Sequence, residues 1–138
     1  MTLFSCAGSQ PADIGVDEGR LAPCPSSPNC VSSDAQPGLH QTKPLRFDGD
    51  SATAWKFAEA AVGQLPRTRV IRLEPDYLHA ECRSALMGFV DDLELHLRAG
   101  EGTIAVRSAS RLGWSDMGVN RRRVDALERA FRRAQDAP

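Results

Sequence analysis

At 138 residues, with 41% hydrophobic and 25% charged side chains, the chain has the size and balance of one soluble globular domain around one core. Its formal net charge of −1 excludes a broad basic field, and with it nucleic acid as the main partner. It holds no apolar run of about 18 residues, so no segment reads as a membrane-spanning helix.

The N-terminus carries "LFSC", Leu3 to Cys6, followed by the small and polar "AGSQPAD". That tetrapeptide resembles a bacterial lipobox, whose cysteine becomes the lipidated first residue, and the polar stretch suits a tether. Only Met1 to Ser5 precede Cys6, too little for the basic and apolar regions of a secretory signal. Two readings stand. Either the tetrapeptide is a coincidence on a disordered tail, or an upstream signal has been lost. On the second reading Cys6 is a candidate lipidation site and the location is the periplasm or cell envelope. Ala7 would then suit an outer-membrane lipoprotein.

Residues 1–20 read as that disordered tail, and residues 21–44 as an irregular proline-rich arm. In "CPSSPNC" Cys24 and Cys30 are separated by five residues, two of them proline. An oxidising compartment makes a local disulfide the plain expectation, contributing roughly 2 kcal/mol in the chain-entropy view. Zinc is the alternative, but no second close Cys or His pair accompanies these two. We expect no metal and no cofactor.

The folded unit is expected over residues 45–134. "DSATAWKFAEAAVGQLP" predicts a helix capped by Asp50 or Ser51 and stopped by Pro66, with Trp55, Ala58, Val62 and Leu65 as its buried stripe. Four strands follow as two hairpins: "RVIRLE", "YLHAECR", "FVDDLELHLR" and "TIAVRSASR". Alternation places Ile71, Leu73, Leu78, Ala80, Cys82, Leu93, Leu95, Leu97, Ile104 and Val106 on the core face. Tyr77, His79, Glu81, Arg83, Asp92, Glu94, His96, Arg98, Arg107 and Arg111 fall on the other, read as open to solvent. "NRRRVDALERAFRRA" predicts a closing helix, N-capped by Asn120 and buried along Val124, Leu127 and Phe131. The expected fold is α+β: a two-layer sandwich of a four-stranded antiparallel sheet with two helices on one face, in the order α-β-β-β-β-α, plus the irregular arm.

The stretch "RSASRLGWSDMGVNRRR", Arg107 to Arg123, packs five arginines and three serines into seventeen residues. It supports an anion pocket built from Arg107, Ser108, Ser110, Arg111, Trp114, Asp116, Asn120, Arg121 and Arg123, supported by Asp91. The arginines and helix N-terminus would hold a carboxylate, phosphate or sulfate, and Trp114 would cover an apolar or sugar ring. The same residues also read as ionic stitching between strand and helix, a purely structural role. A third reading is a hydrolytic or metal-dependent enzyme using His79, Glu81, Glu94 and His96. Against it, cross-strand pairs in solvent give the same pattern.

The segments "MGFVDDLELHL" and "IAVRSASRLGWSDMGVNRRRVDALERAF", with "CPSSPNCVSS" upstream, resemble the domain-of-unknown-function family 1499, over roughly Leu21 to Phe131. The resemblance implies a small bacterial protein, often with a lipoprotein or membrane-anchored N-terminus, and supplies no substrate. The expectation is thus a non-catalytic binding or accessory module of the cell envelope. Its partners would be a small anionic ligand or an envelope protein, with membrane contact only through a lipid anchor.

Overall fold

A computed structural model describes residues 8–85, 88–113 and 116–137. The candidate lipidation site Cys6 and the candidate ligand-covering Trp114 therefore lie outside the described residues. The architecture is α+β, with two helices against one face of a mostly antiparallel sheet.

Helix α1 spans Ser51–Gly63. Asp50 is its cap, accepting hydrogen bonds from the Thr53 amide and hydroxyl at 2.8 Å. Its buried side is Ala54, Trp55, Ala58, Ala61 and Val62. The Trp55 indole N–H, which burial obliges to find an acceptor, donates to the Glu74 carbonyl at 3.0 Å. Helix α2 spans Val119–Asp136 and buries Val124, Leu127, Ala130 and Phe131, the stripe that the 3.6-residue period indicates. Both helices enclose one core with Leu78, Ala80, Cys82, Leu93, Leu95, Ile104 and Val106 from the sheet.

The four long strands are β5 (Thr68–Leu73), β6 (Tyr77–Arg83), β7 (Val90–Arg98) and β8 (Thr103–Ser110). The sheet has six strands, however, and not four. Two short strands, β3 (Cys30–Ser32) and β4 (Leu45–Arg46), pair antiparallel with opposite ends of β8, which is thereby shielded along its outer side. A register shift between Val70 and Arg72 marks a bulge in β5. Ile71 and Leu73, expected in the core, are exposed with Val70, because this bulged edge strand runs past the cover of the helices.

The arm is more ordered than its composition suggests. Residues 16–21, straddling the expected tail boundary, form a small hairpin of β1 (Val16–Asp17) and β2 (Arg20–Leu21). Leu21 and Ile14 pack on Tyr77 and Ala105 in a second apolar cluster, on the sheet face that alternation assigned to solvent. The middle of that face is closed, while Arg83 stays exposed. Glu94, His79 and Asp92 are each 1% exposed or less, and Tyr77 and Arg107 are also buried. Polar bonds hold the arm down at several points. The Gly15 amide donates to Glu94 at 2.8 Å, Arg107 reaches the Pro23 carbonyl at 3.2 Å, and Arg98 grips Asp34 with two bonds of 2.6 and 2.7 Å. The Cys24–Cys30 disulfide lies within the arm and shapes the turn leading into β3.

Candidate functional site

The charged residues of the arm-covered face are spent on one another. Burial works against the charged form of Asp92, but hydrogen bonds from Arg111 and His79 overcome it and hold its carboxyl below the usual carboxylate range. Arg111 bridges Asp92 (2.8 Å to each oxygen) and Glu81 (2.6 Å), and His79 Nε2 donates to Asp92 at 2.7 Å. The Tyr77 hydroxyl donates to Glu94 at 2.6 Å. Burial and that carboxylate push the phenol well above its ordinary value. Arg107 is less well served: its guanidinium lies 3.5 Å from Glu94, and its Nε is buried without a partner.

The group His79, Glu81, Glu94 and His96 is accordingly not one open constellation. His79 and Glu94 lie under the arm, whereas His96 sits at the rim, 3.9 Å from Asp76. Burial lowers the His96 pKa, with Arg98 adding to the effect. Among the described residues no group of three or more His, Cys, Asp or Glu is arranged to hold a metal ion.

The 107–123 stretch is divided by the sheet, because neighbours along a strand point to opposite sides. Arg107 and Arg111 face the arm. Ser108, Ser110, Asp91, Asp116, Asn120 and Arg123 gather on the helix side instead. Ser108 Oγ donates to Asn120 Oδ1 at 2.6 Å. The Asn120 amide donates to Ser110 Oγ and to Asp116 at 2.9 and 2.7 Å. Arg123 donates to Ser108, Asn120 and Asp91 at 3.1, 2.8 and 2.8 Å. Asn29 from the arm joins this cluster: its carbonyl accepts from Asn120 and its amide donates to the Gly113 carbonyl. Arg121 stands apart, donating to the Leu39 and Gln41 carbonyls. The single anion pocket therefore does not assemble, and most of its residues are internal joints.

Asn120 is also not the helix cap. It lies inside the first turn, fully buried. The cap position is Gly118, with φ of 80°, and Asp116 supplies the acceptor, taking the Gly118 and Asn120 amides at 2.8 and 3.0 Å. Burial opposes ionisation of Asp116, but these bonds lower its pKa. The sequence pattern concealed this because Asp116 precedes the first helical residue by three.

What the sequence analysis missed is the hollow beside these joints. A cleft of about 310 Å3 is lined by Ser84, Phe89, Asp91, Ser110, Leu112, Gly113, Asp116, Met117 and Val119. Four of the nine large apolar side chains exposed on the described surface, Phe89, Leu112, Met117 and Val119, line this one feature. Met117 is 85% exposed and held at φ 54°, a left-handed conformation uncommon for a bulky residue. Such positions recur at binding sites, where the surrounding structure compensates the strain. Asp91 and Asp116 face the cleft already engaged by Arg123 and by helix amides, so its base is polar but paired. The one sequence signal for it was the "LGWSDMG" loop, bounded by Gly113 and Gly118. Residues 20–131 match the model of a family described as a protein of unknown function (DUF1499), and no curated protein matches the chain.

Proposed function

From the premise that the chain belongs to the DUF1499 family of proteins of unknown function, we propose that it is a non-catalytic binding module of the cell envelope. The cleft between the β6–β7 and β8–α2 connections is its site. The observation that carries this reading is the gathering of Phe89, Leu112, Met117 and Val119 around one hollow, where scattered single exposures would be ordinary. The ligand class that fits is a molecule with an apolar group for those walls and a polar end for Ser84 and Ser110. The envelope setting is supported by the Cys24–Cys30 disulfide, which persists in oxidising compartments, and by the lipobox-like Cys6. A hydrolase on the other sheet face is disfavoured because its acids and bases are committed to buried pairs.

The test uses a short-chain phosphatidylcholine kept monomeric, below its micellar concentration. Near ten times Kd it should stabilise the protein by about 1.4 kcal/mol, seen as a raised melting temperature. The paired change Met117→Ser and Val119→Ser should abolish the gain without altering the unliganded melting temperature. No stabilisation of the wild type would sink the reading.

A further inference from the structure

The cleft has neighbours that say more about what it meets. Along the β5–β6 side lies a second hollow of about 490 Å3, lined by Arg67, Thr68, Arg69, Glu81, Arg83, Ser84 and Gly88. It shares Ser84 with the apolar cleft, so the two hollows meet at that residue. Its one carboxylate, Glu81, is drawn off by Arg111 at 2.6 Å, and Arg69 reaches it only at 4.0 Å. Three guanidiniums thus line the adjoining hollow with one shared carboxylate among its lining residues, on a chain whose net charge is −1. On the far side Arg122, in the first turn of α2, is exposed beside Met117 and donates to its carbonyl at 2.9 Å.

The N-terminal segment reaches the same place. A β carbon built on Gly8 would lie 3.1 Å from Arg111 Cβ and 3.2 Å from Leu112 Cγ. The described chain therefore begins against a side chain of the cleft wall.

We propose that this surface is where the protein rests on an anionic lipid bilayer: Phe89, Leu112, Met117 and Val119 enter the interfacial zone while Arg67, Arg69, Arg83 and Arg122 meet the headgroups. The proposal rests on the cleft reading above and names its partner. An apolar patch flanked by arginines is the composition that binds such an interface, because apolar burial and attraction to anionic lipid add. Arginine suits the flank, its aliphatic stem lying along apolar surface with the charge held at the phosphates.

The experiment is vesicle flotation of the full chain. Vesicles of phosphatidylcholine alone are compared with vesicles in which about a third of the lipid is phosphatidylglycerol. Binding should be at least about tenfold tighter on the anionic vesicles and weaken with salt. The change Phe89→Ser with Met117→Ser should reduce it at least about tenfold, and Arg67→Glu with Arg69→Glu should erase the preference for anionic lipid. Circular dichroism melting confirms that each variant is folded, and both residues of the first pair are exposed enough to be replaced. Failure of the wild type to float with anionic vesicles, or flotation unchanged by the Phe89 and Met117 substitutions, overturns the proposal. If the monomeric short-chain lipid still stabilises the protein while vesicles do not bind it, the bilayer proposal falls and the cleft reading stands. If neither binds, both fall.

Discussion

Arg107 and Arg111 lie four residues apart on one side of the sheet, and their surroundings assign them different energetic weights. Arg111 makes three charge-assisted bonds of 2.6 to 2.8 Å with its side chain 6% exposed. Among the described residues, removing it leaves Asp92 with His79 alone and Glu81 with only Arg69 at 4.0 Å, and under-compensated buried charge is expensive: Arg111→Ala should cost about 3–5 kcal/mol in urea unfolding. Arg107 has one loose carboxylate contact, one carbonyl and an unpartnered Nε. Its acceptor Glu94 keeps two further donors, Tyr77 and the Gly15 amide. Arg107→Met therefore loses weaker bonds and removes an orphaned donor. Its urea midpoint should fall clearly less than that of Arg111→Met, and equal losses would show that the contact lengths do not set the energies. A sequence could not rank the two arginines, because both fit the same alternation and only distance separates them.

At the scale of elements, the arm is held through β3 and its disulfide. Cys30 is fully buried and lies opposite Ala109 in the ladder with β8. The disulfide closes a loop of sequence separation 6, so reduction should cost about 2 kcal/mol. The loss should be local. In hydrogen exchange of the reduced protein, Ser32 and Ser33, whose amides bond to His40 and Val106 carbonyls, should exchange faster while β6 and β7 keep their protection. Uniform acceleration across the sheet would mean that the arm and sheet open as one unit. The long elements were legible because periods of 2 and 3.6 run through β6 to β8 and both helices. The short strands β3 and β4 were not, since two or three residues among prolines carry no period and are defined only by the edge of β8. The closed polar face misled for a physical reason. Tyr77, His79, Asp92, Glu94, Arg107 and Arg111 alternate as solvated residues do, and only their mutual pairing permits burial. The apolar cleft was illegible because its walls come from two connections distant in sequence.

For the whole molecule, three carboxylates act as joints. Asp34 ties the arm to β7 through Arg98, Asp92 ties β7 to β6 and to the end of β8, and Asp116 ties the start of α2 to its own cap. Burial opposes the charge on Asp34, yet its bonds from Arg98 and Leu21 lower its pKa as they do for the other two. A carboxylate whose folded pKa is depressed contributes stability above its unfolded value, near 3.8, and loses it as pH falls through the folded value. Stability should hold from about pH 7 to about pH 5 and then fall steeply below about pH 4. Urea midpoints across that range check it. Asp92→Asn should be weaker at neutral pH and lose less on acidification, whereas a wild-type curve that is flat to about pH 2 would contradict the assignment.

The bulged strand at the end of the sheet bears on how the protein behaves in company. β8 is covered on its outer side by β3 and β4, which leaves the β5 side as the place where a further strand could add among the described residues. Exposed backbone there, with Val70, Ile71 and Leu73 uncovered, is the kind of template on which chains polymerise. The register shift at Val70 and Arg72 interrupts any straight ladder, and Arg67, Arg69 and Arg72 set like charges against an incoming copy of the same strand. Crowded copies gathered at one surface would thus stay separate molecules, able to diffuse past one another without fusing into fibrils.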